Sequence, residues 1–131
     1  MTLPLPALSD VRVLIVEDDP DSRDATAALL DLCGARATAV ASVAEALSAV
    51  RTEAPDVIVA DIAMPIEDGF DLIRRLRDGS RPSIPMLALT AFATQGDQSR
   101  ILAAGYDAYL PKPIDGTELV AALQRLARRD Y

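Results

Sequence analysis

Short apolar runs alternate along this chain with longer stretches of helical period. Residues 11–16 read VRVLIV, and the acids Glu17, Asp18 and Asp19 follow at once. A run of that length, rich in β-branched residues, predicts a buried strand. Pro20 suits the first position of a helix capped by Asp19. That helix runs to about Cys33, with Ala25, Ala28, Leu29, Leu32 and Cys33 on one face, and Gly34 ends it in the left-handed conformation. Residues 35–41 set Arg36 and Thr38 against small apolar residues, as an edge strand does. Ser42 and Glu45 form a capping box for a second helix with Ala46, Leu47 and Val50 as its apolar stripe.

The central stretch is 56–69, DVIVADIAMPIEDG. Val57 to Ala60 predicts a buried strand with Asp61 at its carboxyl end, and Pro65 turns the chain because it cannot donate to a ladder. A third helix is expected over 67–78, burying Phe70, Ile73 and Leu76, followed by a loop at Asp78, Gly79, Ser80 and Pro82. Residues 84–89 form a fourth strand that delivers Thr90 and Ala91. The stretch 94–104 is a mediocre helix anchored by Ile101 and Leu102 and closed by Gly105. A short strand at 108–110 ends in Pro111, Lys112 and Pro113, and a last helix capped by Asp115 and Glu118 turns Leu119, Ala122, Leu123 and Leu126 inward.

Strands alternating with helices over short links imply right-handed crossovers and a parallel sheet covered on both faces. The first, third and fourth strands read as interior, the second and fifth as edges. The expectation is an α/β fold of flavodoxin-like (βα)5 type, a three-layer sandwich with a five-stranded sheet of order 2-1-3-4-5. Residues 1–10, MTLPLPALSD, lack periodicity and read as a tail or linker before one domain over 11–129.

Composition narrows the chemistry. The 131 residues are half hydrophobic and carry a formal net charge of −7, which argues against duplex DNA or an anionic membrane as partner. Arginines gather at Arg74, Arg75 and Arg77 and at Arg125, Arg128 and Arg129, read as solvated helix faces. Cys33 is the sole cysteine and there is no histidine, so zinc clusters, disulfides and Cys–His or Ser–His–Asp catalysis within the chain are excluded. Cys33 reads as a small core residue. No apolar run has membrane-spanning length and no leader pattern is present, so the chain reads as cytoplasmic.

In a parallel sheet the carboxyl ends of all strands face one rim. That rim would collect Glu17, Asp18, Asp19, Asp61, Thr90 and Lys112. Oxygen ligands without Cys or His select Mg2+ or Mn2+ over zinc. A metal, a lysine and a hydroxyl around one carboxylate are the parts for phosphoryl transfer, with Asp61 as nucleophile giving an aspartyl-phosphate.

With those residues in place, the chain resembles the receiver domain of two-component response regulators over about Val11 to Arg128, through VLIVEDD, VIVADIAMPIEDG, LALTA and AYLPKP in order. The resemblance implies that Asp61 is the phosphoacceptor. Asp18 would bind Mg2+ directly, Glu17 through water, and the backbone carbonyl of Ala63 would complete the ligands. Thr90 would be the switch hydroxyl and Tyr109 the switch aromatic that turns inward with it. Lys112 would be the family's lysine, joined to Pro113 by a cis bond, and Ala91 would leave a gap for access. The donor would be a phosphohistidine on a sensor histidine kinase or a histidine phosphotransfer protein. Output would pass through the face made by the fourth helix, fifth strand and fifth helix. Ala63 and Phe92 bring no polar group to orient water, so slow loss of phosphate is expected.

Other classes fit less well. A receiver fold used only for binding would not need the complete acidic site. An aspartyl phosphatase would need a second acid two residues after the nucleophile, where Ala63 stands. A flavodoxin would need a Ser/Thr-rich phosphate loop where Glu17, Asp18 and Asp19 stand. The chain ends at Tyr131, soon after the last helix, so it is expected to be either a stand-alone receiver or one excised from a larger protein. The AYLPKP ending and the proline-containing lead resemble receivers appended to hybrid sensor kinases.

Overall fold

Among the described residues five parallel strands alternate with five helices, and the sheet order is β2-β1-β3-β4-β5, as the apolar pattern predicts. The computed structural model describes residues 7–64, 66–78, 84–91 and 94–127. Pro65, Phe92, the loop at 79–83 and Arg128 and Arg129 lie outside the described residues. The elements in chain order are β1 (Arg12–Val16), α1 (Pro20–Leu32), β2 (Arg36–Val40), α2 (Val43–Thr52), β3 (Val57–Asp61), α3 (Gly69–Asp78), β4 (Met86–Thr90), α4 (Gln95–Ala104), β5 (Ala108–Pro111) and α5 (Gly116–Ala127).

Alternation along the strands splits the core into two layers. Leu14, Val16, Ile58, Ala60, Met86 and Ala88 meet Ala46, Val50, Leu72, Ile73 and Ile101 of α2, α3 and α4. Val13, Ile15, Val57, Val59, Leu87 and Leu89 meet Leu30 of α1, Cys33 and Leu119, Val120 and Leu123 of α5. All five residues of β3 and of β4 are buried, whereas the edge strands β2 and β5 are partly exposed. Burial on both faces is why β3 and β4 read as unbroken apolar runs.

Local signals set most boundaries. Asp19 caps α1, Ser42 caps α2 with Glu45 reaching back to the Ala41 N–H, and Gly105 closes α4 at φ 118°. Asp68 caps α3, accepting from the Phe70 and Asp71 N–H groups at 3.0 and 3.1 Å, while the Asp71 carboxylate accepts from the Asp68 N–H. The third helix therefore starts at Gly69 rather than Glu67, which instead pairs with Arg75.

Three expectations about packing need correction. The buried face of α1 is Thr26 and Leu30, continued by Cys33, with Ala27 and Leu29 half-buried; Ala25 and Ala28 are exposed and Leu32 is 73% exposed. Alanines on both sides of the helix made its stripe ambiguous, and the burial of Leu30 in the layer shared with α5 decides it. In α4 Ile101 is buried, but Leu102 is nearly half exposed. In α3 the deepest side chains are Leu72 and Ile73, with Phe70 only partly buried. The lead segment also contributes to the core. Leu8 is fully buried and its N–H donates to the Cys33 carbonyl at 2.8 Å.

Candidate functional site

Strand register brings the rim together. Val16 lies opposite Ala60, so Glu17 and Asp61 leave their strands at one level. Asp61 lies opposite Leu89, and Thr90 lies opposite Pro111, one residue before Lys112. The Lys112 N–H donates to the Thr90 carbonyl at 2.8 Å and fixes where the lysine stem begins.

The side chains then converge. Lys112 Nζ donates to Asp61 Oδ2 at 2.9 Å and to Glu17 Oε1 at 3.3 Å. The second oxygen of each acid accepts from backbone: Asp61 Oδ1 from the Ala63 N–H at 3.1 Å and Glu17 Oε2 from the Asp19 N–H at 3.2 Å. Glu17 is 3% exposed, Asp61 5% and Thr90 3%, while Asp18 is half-buried. Carboxylate oxygens of Glu17, Asp18 and Asp61 all lie within 4.8 Å of one another. Arg23, one turn into α1, donates to the carbonyls of Glu17 and Asp18 at 3.0 and 3.3 Å and anchors the acidic turn.

The electrostatics follow from this crowding. Burial pushes the Glu17 carboxyl above its usual range; the Asp19 N–H works against that, and the neighbouring charge of Asp61 adds to it. For Lys112 burial disfavours the charge, but the hydrogen bond and charge of Asp61, with those of Glu17, outweigh it and hold the ammonium above its ordinary value. Glu17 and Asp61 thus share one ammonium, and the Asp18 carboxylate lies beside them. Buried like charges are costly without further compensation. The oxygen-only donor set and this excess negative charge fit a hard divalent cation such as Mg2+.

Of the residues expected at the rim, Glu17, Asp18, Asp61 and Lys112 meet, and Thr90 ends the adjacent strand. Asp19 does not join them: its carboxylate accepts from the Ser22 N–H at 2.9 Å, which lowers its pKa, and it serves as the cap of α1. Ala63, two residues after Asp61, is exposed, and Ala91 is exposed beyond Thr90. Tyr109 is half-buried against the α2–α4 layer, and the Lys112–Pro113 bond is cis.

Sequence reasoning passed over three residues. Arg23 sits where an α1 side chain can reach back to the preceding turn, a signal that the capping pattern at Asp19 carries. Arg77, grouped with the solvated arginines, donates to the carbonyls of Ile84 and Gly105 at 3.1 and 3.2 Å and so ties α3 to the end of α4. Tyr106, beside the closing Gly105, is buried and donates from its hydroxyl to the Gly69 carbonyl at 2.7 Å; nothing in the spacing points to that contact.

Comparison with known proteins agrees with this architecture. Residues 13–124 match the response regulator receiver domain family. The transcriptional regulatory protein CseB of Streptomyces coelicolor is 39% identical over 117 residues, 89% of this chain and 49% of CseB, so the chain spans about half of that relative. The Francisella response regulator 1452 receiver domain superposes with a TM-score of 0.88 at 30% identity, covering 93% of this chain and 100% of that one. The receiver domain of the sensor histidine kinase PA1611 from Pseudomonas aeruginosa, which holds a magnesium ion in its active-site cleft, superposes with a TM-score of 0.83 at 35% identity over 91% of this chain and 98% of its own. With the sheet order, the acidic rim and a family match over most of its length, this chain belongs to the response regulator receiver domain family.

Proposed function

We propose that Asp61 is the phosphoacceptor of a two-component phosphorelay. The observation that carries this reading is the Lys112 ammonium on Asp61 Oδ2 at 2.9 Å, with the oxygens of Glu17 and Asp18 gathered on the same acid. The donor is a phosphohistidine of a sensor histidine kinase or a histidine phosphotransfer protein, since this chain has no histidine of its own. A histidine-kinase partnership places the chain in the cytoplasm.

A carboxylate oxygen of Asp61 attacks the phosphorus. The new O–P bond forms as the P–N bond to the donor imidazole breaks; the imidazole keeps the electron pair and takes a proton from solvent. Lys112 is already placed to offset charge on a phosphoryl oxygen, and Thr90 donates a hydrogen bond to another. Asp18, Asp61, the Ala63 carbonyl and, through water, Glu17 would hold Mg2+, which supplies further neutralisation of the phosphoryl charge when bound. The chain catalyses only its own phosphorylation and dephosphorylation.

The switch follows from the same groups. The new charge draws Thr90 toward the acceptor, space opens for Tyr109 to turn inward, and the face of α4, β5 and α5 is reshaped for a partner or an output domain. This is a two-state element biased by a local charge.

The test is intact mass after incubation with acetyl phosphate, with and without Mg2+, on wild type and Asp61→Asn. One Mg2+-dependent phosphoryl adduct that Asp61→Asn lacks supports the reading. A wild-type chain that takes no phosphoryl group, from acetyl phosphate or from a phosphohistidine donor, favours a receiver fold used only for binding.

A further inference from the structure

One buried titratable side chain has no part in the chemistry above. Tyr106 lies between the end of α4 and the start of β5 and is 3% exposed. Its main chain belongs to that corner: its N–H donates to the Ile101 carbonyl, closing α4, and the next N–H, of Asp107, donates to the Met86 carbonyl at the start of β4. Its hydroxyl crosses the layer and donates to the Gly69 carbonyl at 2.7 Å. Burial keeps that hydroxyl protonated well beyond its ordinary range, so it is a constant donor.

Gly69 is the point where the acceptor loop folds back on its own strand. Its N–H donates to the Ile62 carbonyl at 3.0 Å. A Cβ at Gly69 would stand 2.9 Å from Ile62 Cα and 3.0 Å from the Asp61 carbonyl oxygen. The backbone of Asp61 and Ile62 is therefore packed directly against Gly69, and the Gly69 carbonyl is held by Tyr106. One side chain spans the distance from the end of α4 to the backbone that aims the acceptor.

We propose that Tyr106 is a positioning residue for Asp61: through the Gly69 carbonyl its hydroxyl fixes the loop behind the acceptor and links that loop to the α4–β5 corner. Arg77 and Ile73 steady the same corner. Arg77 donates to the Gly105 carbonyl, and Ile73 would lie 3.2 Å from a Cβ at Gly105. A shift of α4 thus reaches the acceptor loop through Tyr106, and a change at the acceptor reaches α4 by the same contact, as linkage requires. The inference rests on Asp61 being the acceptor.

The test separates the hydroxyl from the ring. Tyr106→Leu removes both, and Tyr106→Phe restores the ring alone. Each variant is melted, and its phosphorylation by acetyl phosphate in saturating Mg2+ is followed by intact mass over a range of donor concentrations. The expected result is that Tyr106→Phe recovers most of the melting temperature lost in Tyr106→Leu but not the rate. Its maximal rate falls about fivefold, the rate equivalent of one ordinary hydrogen bond, at an unchanged half-saturating donor concentration. Amide exchange at Gly69 and at Ile101–Ala104 should also rise together in Tyr106→Phe. A Tyr106→Phe chain with the wild-type maximal rate overturns the inference and leaves Tyr106 a packing residue. A wild-type chain that takes no phosphoryl group overturns the reading of Asp61 and this inference with it.

Discussion

Asp18→Asn tests the charge balance of the site while leaving its shape alone. Asp18 brings a third carboxylate into a cluster that already holds Glu17 and Asp61, and the oxygens lie within 4.8 Å. At that distance a like-charge pair costs about 3.5 kcal/mol at an effective dielectric of about 20 and about 0.9 kcal/mol in bulk water. Asp18 is half-buried, so the lower part of that span applies to each of its two acidic neighbours. Lys112 and Arg23 offset some of the repulsion. The net gain from removing the Asp18 charge in metal-free protein is about 1 kcal/mol, a rise in melting temperature of about 4 °C for a domain of this size. A bound cation reverses the order. At ten times its dissociation constant Mg2+ stabilises the wild type by about 1.4 kcal/mol, and Asp18→Asn loses most of that. The assay is thermal melting of both chains in chelator and in excess Mg2+. A drop in the metal-free melting temperature of Asp18→Asn would refute the repulsion argument, and a wild-type melt that ignores Mg2+ would refute the cation site.

Three further predictions concern stability. Ile66 is fully exposed and β-branched, yet sits at φ 69°, a conformation that costs a side chain of its kind about 1 kcal/mol or more. Ile66→Asn should raise the urea midpoint, and a lower midpoint would count against the strain. Gly69→Ala forces its Cβ onto Ile62 Cα and the Asp61 carbonyl, and should lower stability by about 1–3 kcal/mol and slow phosphorylation as well; wild-type behaviour in both assays would contradict the packing. Tyr106 has its hydroxyl pKa raised by burial, so the folded state favours the neutral form. That stability is fully present below the ordinary tyrosine value of about 10 and is lost as pH rises above it. Unfolding free energy measured through the alkaline range should fall more steeply in wild type than in Tyr106→Phe, and parallel curves would oppose the assignment.

Much of the fold could be read in advance because its signals are local. Strand-length apolar runs separate β3 and β4 from the half-polar β2, and that contrast alone places interior against edge. Asp19, Ser42 and Glu45 mark helix starts because a side-chain oxygen must satisfy the free N–H groups there. Gly34 and Gly105 mark ends because both adopt positive φ. The rim was equally legible, since the register of a parallel sheet carries Glu17, Asp61 and Lys112 to one edge without any knowledge of side-chain packing. What stayed hidden depends on the third dimension. Alanines on opposite faces of α1 left its stripe undecided, and Leu32 and Leu102 turned outward despite their type. Leu8 was concealed by a proline-rich lead without periodicity. The relative burial of Glu17 and Asp18 depends on the turn that Arg23 anchors. The Tyr106–Gly69 contact joins residues 37 apart through a geometry that no spacing encodes.

The central claim is that Asp61 itself carries the phosphoryl group, and its most direct test is to trap that acyl phosphate chemically. The chain is phosphorylated in Mg2+, reduced with borohydride, which converts an aspartyl-phosphate to homoserine, and mapped by peptide mass spectrometry. The account predicts homoserine at position 61 in the Mg2+-treated wild type and nowhere in the metal-free sample or in Asp61→Asn. Homoserine at another aspartate, or a phosphorylated chain with no reducible acyl phosphate at position 61, would contradict it.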